Sequence, residues 1–265
     1  APLGCAERPA CADSPPMLRS ALLSDQPWLV HGFGTRACGL RHPRAGGAWM
    51  GLHPQLLMVK QIHSDLVWTD PAPGTPGDGM LTRQPGRLLA LRTADCCPIL
   101  IADTKRRAVA AVHAGWRGTR DRIVEKAVGE MRARWGSDPG DLVAAIGPGI
   151  RVCCYEVGAE VQQAFRARFA YADQLFLDDG GFPMQFLSGA PPGHADDARW
   201  RPASKLRLDL AQANARQLRD AGIPNGAVEI MPYCTVCQAG RFYSHRRGET
   251  GRMLSAIGIR SGGAC

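Results

Sequence analysis

The apolar positions along the chain change period several times, and each change marks an element. Residues 27–36 read as a short strand and turn, and 56–62 as a strand ending near His63. Residues 37–54, rich in Gly, Arg, His and Pro, read as loop, and 71–79 as a turn-rich connection. Apolar runs at 87–93 and 98–102 flank Ala94-Asp95-Cys96-Cys97, which predicts strand, tight turn, strand. Another strand runs over 107–113 and ends on His113. From Thr119 the period becomes helical, with Ile123, Val124, Ala127, Val128, Met131 and Trp135 on one face and Gly136 as the stop.

Residues 142–146 predict a strand running into Gly147-Pro148-Gly149, and Val157, Val161, Ala164, Phe165 and Phe169 a second helix. Residues 173–204, rich in Asp, Gly and Pro, read as a long irregular excursion or lid. Asp209 with Gln212 resembles a capping box opening a helix that stops at Gly222. Residues 227–231 read as the last clear strand, followed by a polar, Arg-rich segment to Arg252. Helices and strands mix without strict alternation. The expectation is an α+β fold in a single domain, 18–265, after a loose extension at 1–17.

Composition narrows the class. No apolar run is long enough for a membrane span, and residues 1–17 lack the pattern of a secretory signal. The formal charge of +8 suits either a solvated surface or attraction of anionic substrates. Nucleic-acid binding is not expected, because no basic block is interleaved with aromatics. Ten cysteines include the vicinal pairs Cys96-Cys97 and Cys153-Cys154, which are poor disulfide partners for each other. Reduced thiols in a cytoplasmic protein are therefore expected.

Candidate chemistry gathers in three segments. Gln61-Ile62-His63, Thr93-Ala94-Asp95-Cys96-Cys97-Pro98 and His113-Ala114-Gly115-Trp116-Arg117-Gly118 offer two imidazoles and a thiolate. That set suits zinc or copper and leaves a fourth position open. Spacing alone does not make a site, since a lone His is usually a satisfied polar residue and a lone Cys a small core hydrophobe. All three, however, fall at predicted strand ends. Asp95 reads either as a proton carrier beside the metal or as a turn cap. Arg117, among glycines before a helix, reads as an anion-binding element. Tyr155, after Cys153-Cys154, reads as packing or as a platform for a base. Ser244, His245, Arg246, Arg247 and Arg252 form a cationic cluster. Cys234-Thr235-Val236-Cys237 is a single C-x-x-C, weak as a zinc knuckle or redox motif without a second one.

Taken together, TADCCPIL, VHAGWRG, IGPGIRVCCYEVG and the late FYSHRRGETGR resemble the laccase-domain family. Its members are also called multicopper polyphenol oxidase-like proteins, purine nucleoside phosphorylases and peptidoglycan editing factors. The resemblance runs from His31 to Ile259. It implies mixed and antiparallel sheets packed together and flanked by helices, with a metal on His63, Cys96 and His113. It also implies a zinc-dependent purine nucleoside phosphorylase, acting on adenosine, inosine, guanosine and methylthioadenosine, that deaminates adenosine as well. Purine nucleoside and phosphate are then the small-molecule partners, and monomer and homodimer both stay open.

In that frame Asp95, Cys96, His113 and Arg117 are the expected catalytic residues. Arg36, Gln61, Arg117, Tyr155 and Arg246 are the expected substrate and phosphate contacts. Two departures stand out: Ser64 replaces the family's usual Gly after the first histidine, and the 37–60 region is short. Two rival chemistries remain. One is a copper-dependent polyphenol oxidase, against which count the chain's seven histidines without an H-x-H pair. The other is a Cys–His hydrolase or amidase with Cys96 as nucleophile.

Overall fold

Cys97–Asp103 and Ala108–Ala114 are buried at every position, and strict alternation explains how both faces find partners. Ile99, Ile101, Ala108, Ala110 and Val112 face a helical layer. Leu100, Ala102, Val109 and Ala111 face a second sheet. The computed structural model describes residues 17–38, 55–178 and 206–261.

Its strands are β1 (Met17–Leu18), β2 (Leu29–Gly34), β3 (Gln55–Leu57), β4 (Val67–Thr69), β5 (Gly79–Thr82), β6 (Arg87–Thr93), β7 (Cys97–Asp103), β8 (Ala108–Ala114), β9 (Leu142–Ile146), β10 (Phe176–Leu177), β11 (Arg207–Leu208), β12 (Val228–Ile230) and β13 (Met253–Ile259). Its helices are α1 (Ala21–Ser24), α2 (Trp116–Arg120), α3 (Ile123–Trp135), α4 (Ala159–Arg166) and α5 (Leu210–Asp220).

A six-stranded sheet has the order β12-β9-β7-β8-β5-β4, and a five-stranded sheet the order β1-β2-β13-β6-β3. Both mix parallel and antiparallel pairs, so the α+β expectation holds. The helices α3 and α5 cover the outer face of the six-stranded sheet with Val124, Val128, Met131, Ala215 and Leu218. Between the sheets lie Phe33, Leu89, Leu91, Leu100, Val109 and Ile257. Gly147 is required there, because a Cβ on it would sit 2.2 Å from Phe33 Cδ1.

The turn at Ala94-Asp95-Cys96 does not close a hairpin. β6 belongs to one sheet and β7 to the other, so the chain crosses between sheets at that turn. Asp95 takes φ 89° to make the crossing. β7 and β8 form the antiparallel hairpin instead, with Pro98 opposite His113.

Several expectations are corrected. The strand expected over 56–62 is only Gln55–Leu57, because the amides of Ile62, His63 and Ser64 turn to a carboxylate rather than to a ladder. The helix expected from Thr119 is split into α2 and α3 at Arg122, whose φ is 64°. The strand at 227–231 is not the last, since β13 lies between β2 and β6 in the five-stranded sheet. The turn and strand of residues 172–177 begin the expected 173–204 excursion. Its remainder from 179, residues 39–54 of the expected 37–54 loop, and residues 1–16 of the expected extension lie outside the described residues. Gly136 closes α3 in the left-handed region, and Asp209 caps α5 by accepting from the Gln212 amide, as the sequence suggests.

Candidate metal centre

Three strand ends meet where the sheets join. Cys96 precedes β7, His113 is the penultimate residue of β8, and Asp78 precedes β5, which pairs with β8. His63 stands on the loop that leads from β3 to β4. The ligand atoms of His63, Cys96 and His113 all lie within 4.8 Å of one another. The two imidazole rings meet edge to face, 5.0 Å between centroids. The vicinal pair divides its roles cleanly: Cys96 faces the imidazoles while Cys97 is wholly buried in the core.

Asp78, which sequence reading passed over as part of a turn-rich connection, organises this cluster. It is fully buried, and its Oδ1 lies 2.7 Å from His113 Nδ1. The same carboxylate accepts from the backbone N–H of Ile62, His63 and Ser64 and from Ser64 Oγ. One buried group thus orients one histidine through its ring and the other through its backbone. His63 holds φ 58°, a conformation that costs a non-glycine residue about 1–3 kcal/mol and that this wrap of amides sustains. Gly115 and Gly118 leave room for the cluster: a Cβ on Gly115 would come 3.0 Å from Cys96 Sγ and 3.3 Å from His63 Cδ2, and one on Gly118 2.9 Å from Ser64 O.

The electrostatics follow from these contacts. Burial works against the Asp78 carboxylate, but hydrogen bonds from His113 and Ser64 outweigh it and hold the group at about 2. Burial also opposes charge on His113, yet hydrogen bonds to Asp78 and Cys96 raise it to about 9. Cys96 is likewise opposed by burial and brought down to about 6 by His113 and His63. Cys97, with burial unopposed at comparable strength, is pushed up to about 12. Only one of the adjacent thiols is therefore a ready ligand.

Two nitrogens and one thiolate, oriented by a buried carboxylate, fit a zinc-type or copper-type ion. The cluster opens on a cavity of about 930 Å³. Lys60, Arg92, Arg117, His245, Arg246 and Arg252 line it, and among the described lining residues the one acid is Asp95. A cationic cavity of this kind favours an anion.

The other expected site residues divide. Arg117 is exposed on the cavity wall, its guanidinium stacked 4.5 Å over the Trp116 ring. Tyr155 lines the cavity, with Arg246 5.5 Å over its ring. Arg246 also donates from its side chain to Glu156 O. Asp95 borders the cavity, but its carboxylate accepts from Thr235 Oγ1, Ser244 Oγ and the Arg246 amide, which ties the 234–247 segment to the cluster. Gln61 spends both ends of its amide on the Arg92 backbone, 2.9 Å each way, extending the edge of β6. Arg36 is absent from the lining; its guanidinium binds Glu249, Ala239 O and Phe242 O.

Seven cysteines are free among the described residues. No helix among those residues is long and apolar enough to cross a membrane.

Known proteins resemble this chain in sequence and in fold. The family described as multi-copper polyphenol oxidoreductase laccase matches residues 42–260. A purine nucleoside phosphorylase of Bacteroides thetaiotaomicron is 38% identical over 184 residues, covering 69% of this chain and 60% of that protein. Purine nucleoside phosphorylase slr1573 of Synechocystis is 32% identical over 249 residues, covering 89% and 90% respectively. Adenosine deaminase RL5, from an unknown prokaryotic organism, is 34% identical over 186 residues, covering 70% and 59%. The chain thus spans about three fifths of the first and third of these relatives and nine tenths of the second. Among solved structures, the hypothetical protein YfiH of Bacillus licheniformis superposes with a TM-score of 0.73 at 30% identity, covering 94% of this chain and 98% of that one.

Proposed function

The chain belongs to the multi-copper polyphenol oxidoreductase laccase family, and from that premise we propose that it is a zinc-dependent purine nucleoside phosphorylase that also deaminates adenosine. The observation that carries the reading is the meeting of a three-ligand His63–Cys96–His113 cluster with an arginine-lined cavity. Relatives named purine nucleoside phosphorylase and adenosine deaminase support it.

His63, Cys96 and His113 would hold the ion. When bound, it supplies Lewis acidity next to the open cavity. Two imidazoles and one thiolate facing an open cavity match the donor number of a catalytic zinc, three protein ligands with one position left for water or substrate.

The chain's own residues do the rest. Arg117 and Arg246 would hold phosphate, which serves as nucleophile and as counter-charge to the cationic sugar of the transition state. Tyr155 offers a face for the purine. Asp95 holds Arg246 and Thr235 in place through its carboxylate, and as the one acid among the described lining residues it would be the group to move a proton. Asp78 fixes which His113 nitrogen faces the cavity.

A second reading has one observation behind it. Asp78, His113 and Cys96 also form a carboxylate–imidazole–thiol series, the arrangement of a cysteine nucleophile with its base. His63 would then serve only to lower the Cys96 thiol further, alongside His113.

The test is metal analysis and adenosine turnover on protein purified without added metal. Zinc on the chain, adenine formed only with phosphate and inosine formed without it are the expected results. Intact adenosine with several coppers per chain would replace the reading with the oxidase. Turnover that survives a chelator would replace it with the cysteine nucleophile.

A further inference from the structure

A second cluster lies behind the cavity wall. The sulfurs of Cys153, Cys154, Cys234 and Cys237 all fall within 4.8 Å of one another. Cys237 Sγ is 3.5 Å from Cys153 Sγ and 3.3 Å from Cys154 Sγ. The single C-x-x-C of the sequence has its missing half in a vicinal pair, a spacing that no knuckle pattern anticipates.

Local backbone explains why the sulfurs converge. In a strand, neighbouring side chains point to opposite faces. Here the Cys154 and Tyr155 amides both donate to Arg151 O at 2.9 Å, so the vicinal cysteines ride a tight turn. Across from them the Gln238 amide donates to Cys234 O at 3.1 Å, a helical turn that sets Cys234 and Cys237 on one side. The Cys237 backbone N–H also bonds the Cys234 sulfur. Pairing of Gly149 with Cys234, and the Thr235 amide on Gly149 O at 3.1 Å, bring the two segments together.

We propose that these four cysteines form a second metal centre, closed and structural, that takes one zinc ion as a tetrathiolate. Zinc bonds sulfur at about 2.3 Å in a tetrahedron, which puts sulfur–sulfur edges at about 3.8 Å. The separations of 3.3 and 3.5 Å lie a few tenths of an ångström inside that edge, and all four sulfurs stay within 4.8 Å of one another. An iron–sulfur cluster needs room for its own iron and sulfide atoms between the ligands, and sulfurs this close leave room for one ion. A disulfide would use two of the sulfurs and leave two idle. The amide on the Cys234 sulfur, and the Arg247 guanidinium on Thr235 O and Val236 O, suit a cluster with net negative charge.

Four ligands leave no position for substrate, so the role is to clamp. The ion would join the turn that carries Tyr155 to the turn that carries Thr235, and Thr235 Oγ1 donates to Asp95 beside Cys96. The clamp would thus fix one wall of the cavity from behind.

The test is zinc content and zinc X-ray absorption on the full chain purified without added metal. The wild type is expected to hold two zinc ions, and Cys234→Ser, checked with Cys153→Ser, to lose one of them. His113→Ala should keep one zinc with a sulfur-only shell at about 2.3 Å. That protein carries the test if the cysteine variants fail to fold. A wild type with one sulfur-only zinc supports the clamp and sinks the His63–Cys96–His113 zinc, so the two readings fail separately. Zinc content unchanged in both serine variants, no sulfur-only zinc in His113→Ala, or a disulfide among the four in the native mass spectrum would overturn it.

Discussion

Asp78 Oδ1 and His113 Nδ1 lie 2.7 Å apart, both buried, at the junction of β5 and β8. Through the same carboxylate the loop that carries His63 is wrapped into place. The geometry of two ligands therefore hangs on a residue that touches no metal itself.

Asp78→Asn keeps the size of the side chain and removes its charge. Metal affinity should fall about 10–100-fold, the usual effect of losing such a partner. Competition against a chromogenic chelator measures it. Wild-type affinity in Asp78→Asn would mean that the carboxylate only shapes the loop.

The protonation states predict an unusual pH dependence for metal-free protein. His113 is raised to about 9, so its contribution to stability is complete below its ordinary value of 6.5 and fades as pH climbs toward 9. Cys96 is lowered to about 6, so its contribution is complete above its ordinary value of 9.0 and is lost as pH falls toward 6. The two slopes oppose each other, because the thiol has in effect passed its proton to the imidazole. Stability of chelated wild type should be nearly flat between pH 6.5 and 9, while chelated Cys96→Ala should lose stability across the same interval. Thermal melts of both proteins decide it, and parallel pH profiles would refute the ion pair.

Much of the fold was legible because the central strands bury both faces. Leu88–Leu91 in β6, Pro98–Ala102 in β7, Ala108–Val112 in β8 and Leu142–Ile146 in β9 show as apolar runs, with the polar residues at the strand ends. β13 was missed because Ser255 and Gly258 interrupt its pattern and a polar segment precedes it, although all seven positions are buried. The ligands His63, Cys96 and His113 were visible as residue types at strand ends. Asp78 was not, since only the folded chain shows which amides a turn aspartate will meet. Gln61 illustrates the converse: a polar residue beside a ligand, but with its amide given to the Arg92 backbone. The four-cysteine cluster was hidden because each segment shows only half of it.

The divided roles of the vicinal thiols can be read by alkylation. In metal-free protein Cys96, lowered to about 6, should react with iodoacetamide at neutral pH, and Cys97, buried and pushed up to about 12, should not. Peptide mapping distinguishes them. Modification of Cys97 at a comparable rate would show that the crossing between sheets opens readily.

Gly147→Ala tests the packing between sheets. Its Cβ would stand 2.2 Å from Phe33 Cδ1 and 2.3 Å from Cε1, with Phe33 fully buried. Forcing a methyl into such a contact costs about 1–3 kcal/mol. Denaturant unfolding should show that loss with the family of folded contacts otherwise intact. An unchanged midpoint would mean the sheets separate at little cost.

Arg117 offers the sharpest separation of the two proposed reactions. It stands on the cavity wall beside Gly115, with its guanidinium over Trp116, so the indole holds the charge in place without neutralising it. Phosphorolysis needs a bound phosphate and deamination does not. Removing one charge-assisted contact to an anion costs about 1.5–3 kcal/mol, which is roughly a 10- to 150-fold change. Arg117→Ala should therefore raise the KM for phosphate by that order, while inosine formation from adenosine without phosphate changes little. Initial rates over a phosphate series, read with the metal content of the same preparation, separate a lost anion contact from a lost metal. An unaltered phosphate dependence would remove Arg117 from the anion site and shift that role to Arg246, which lies over Tyr155 on the same cavity.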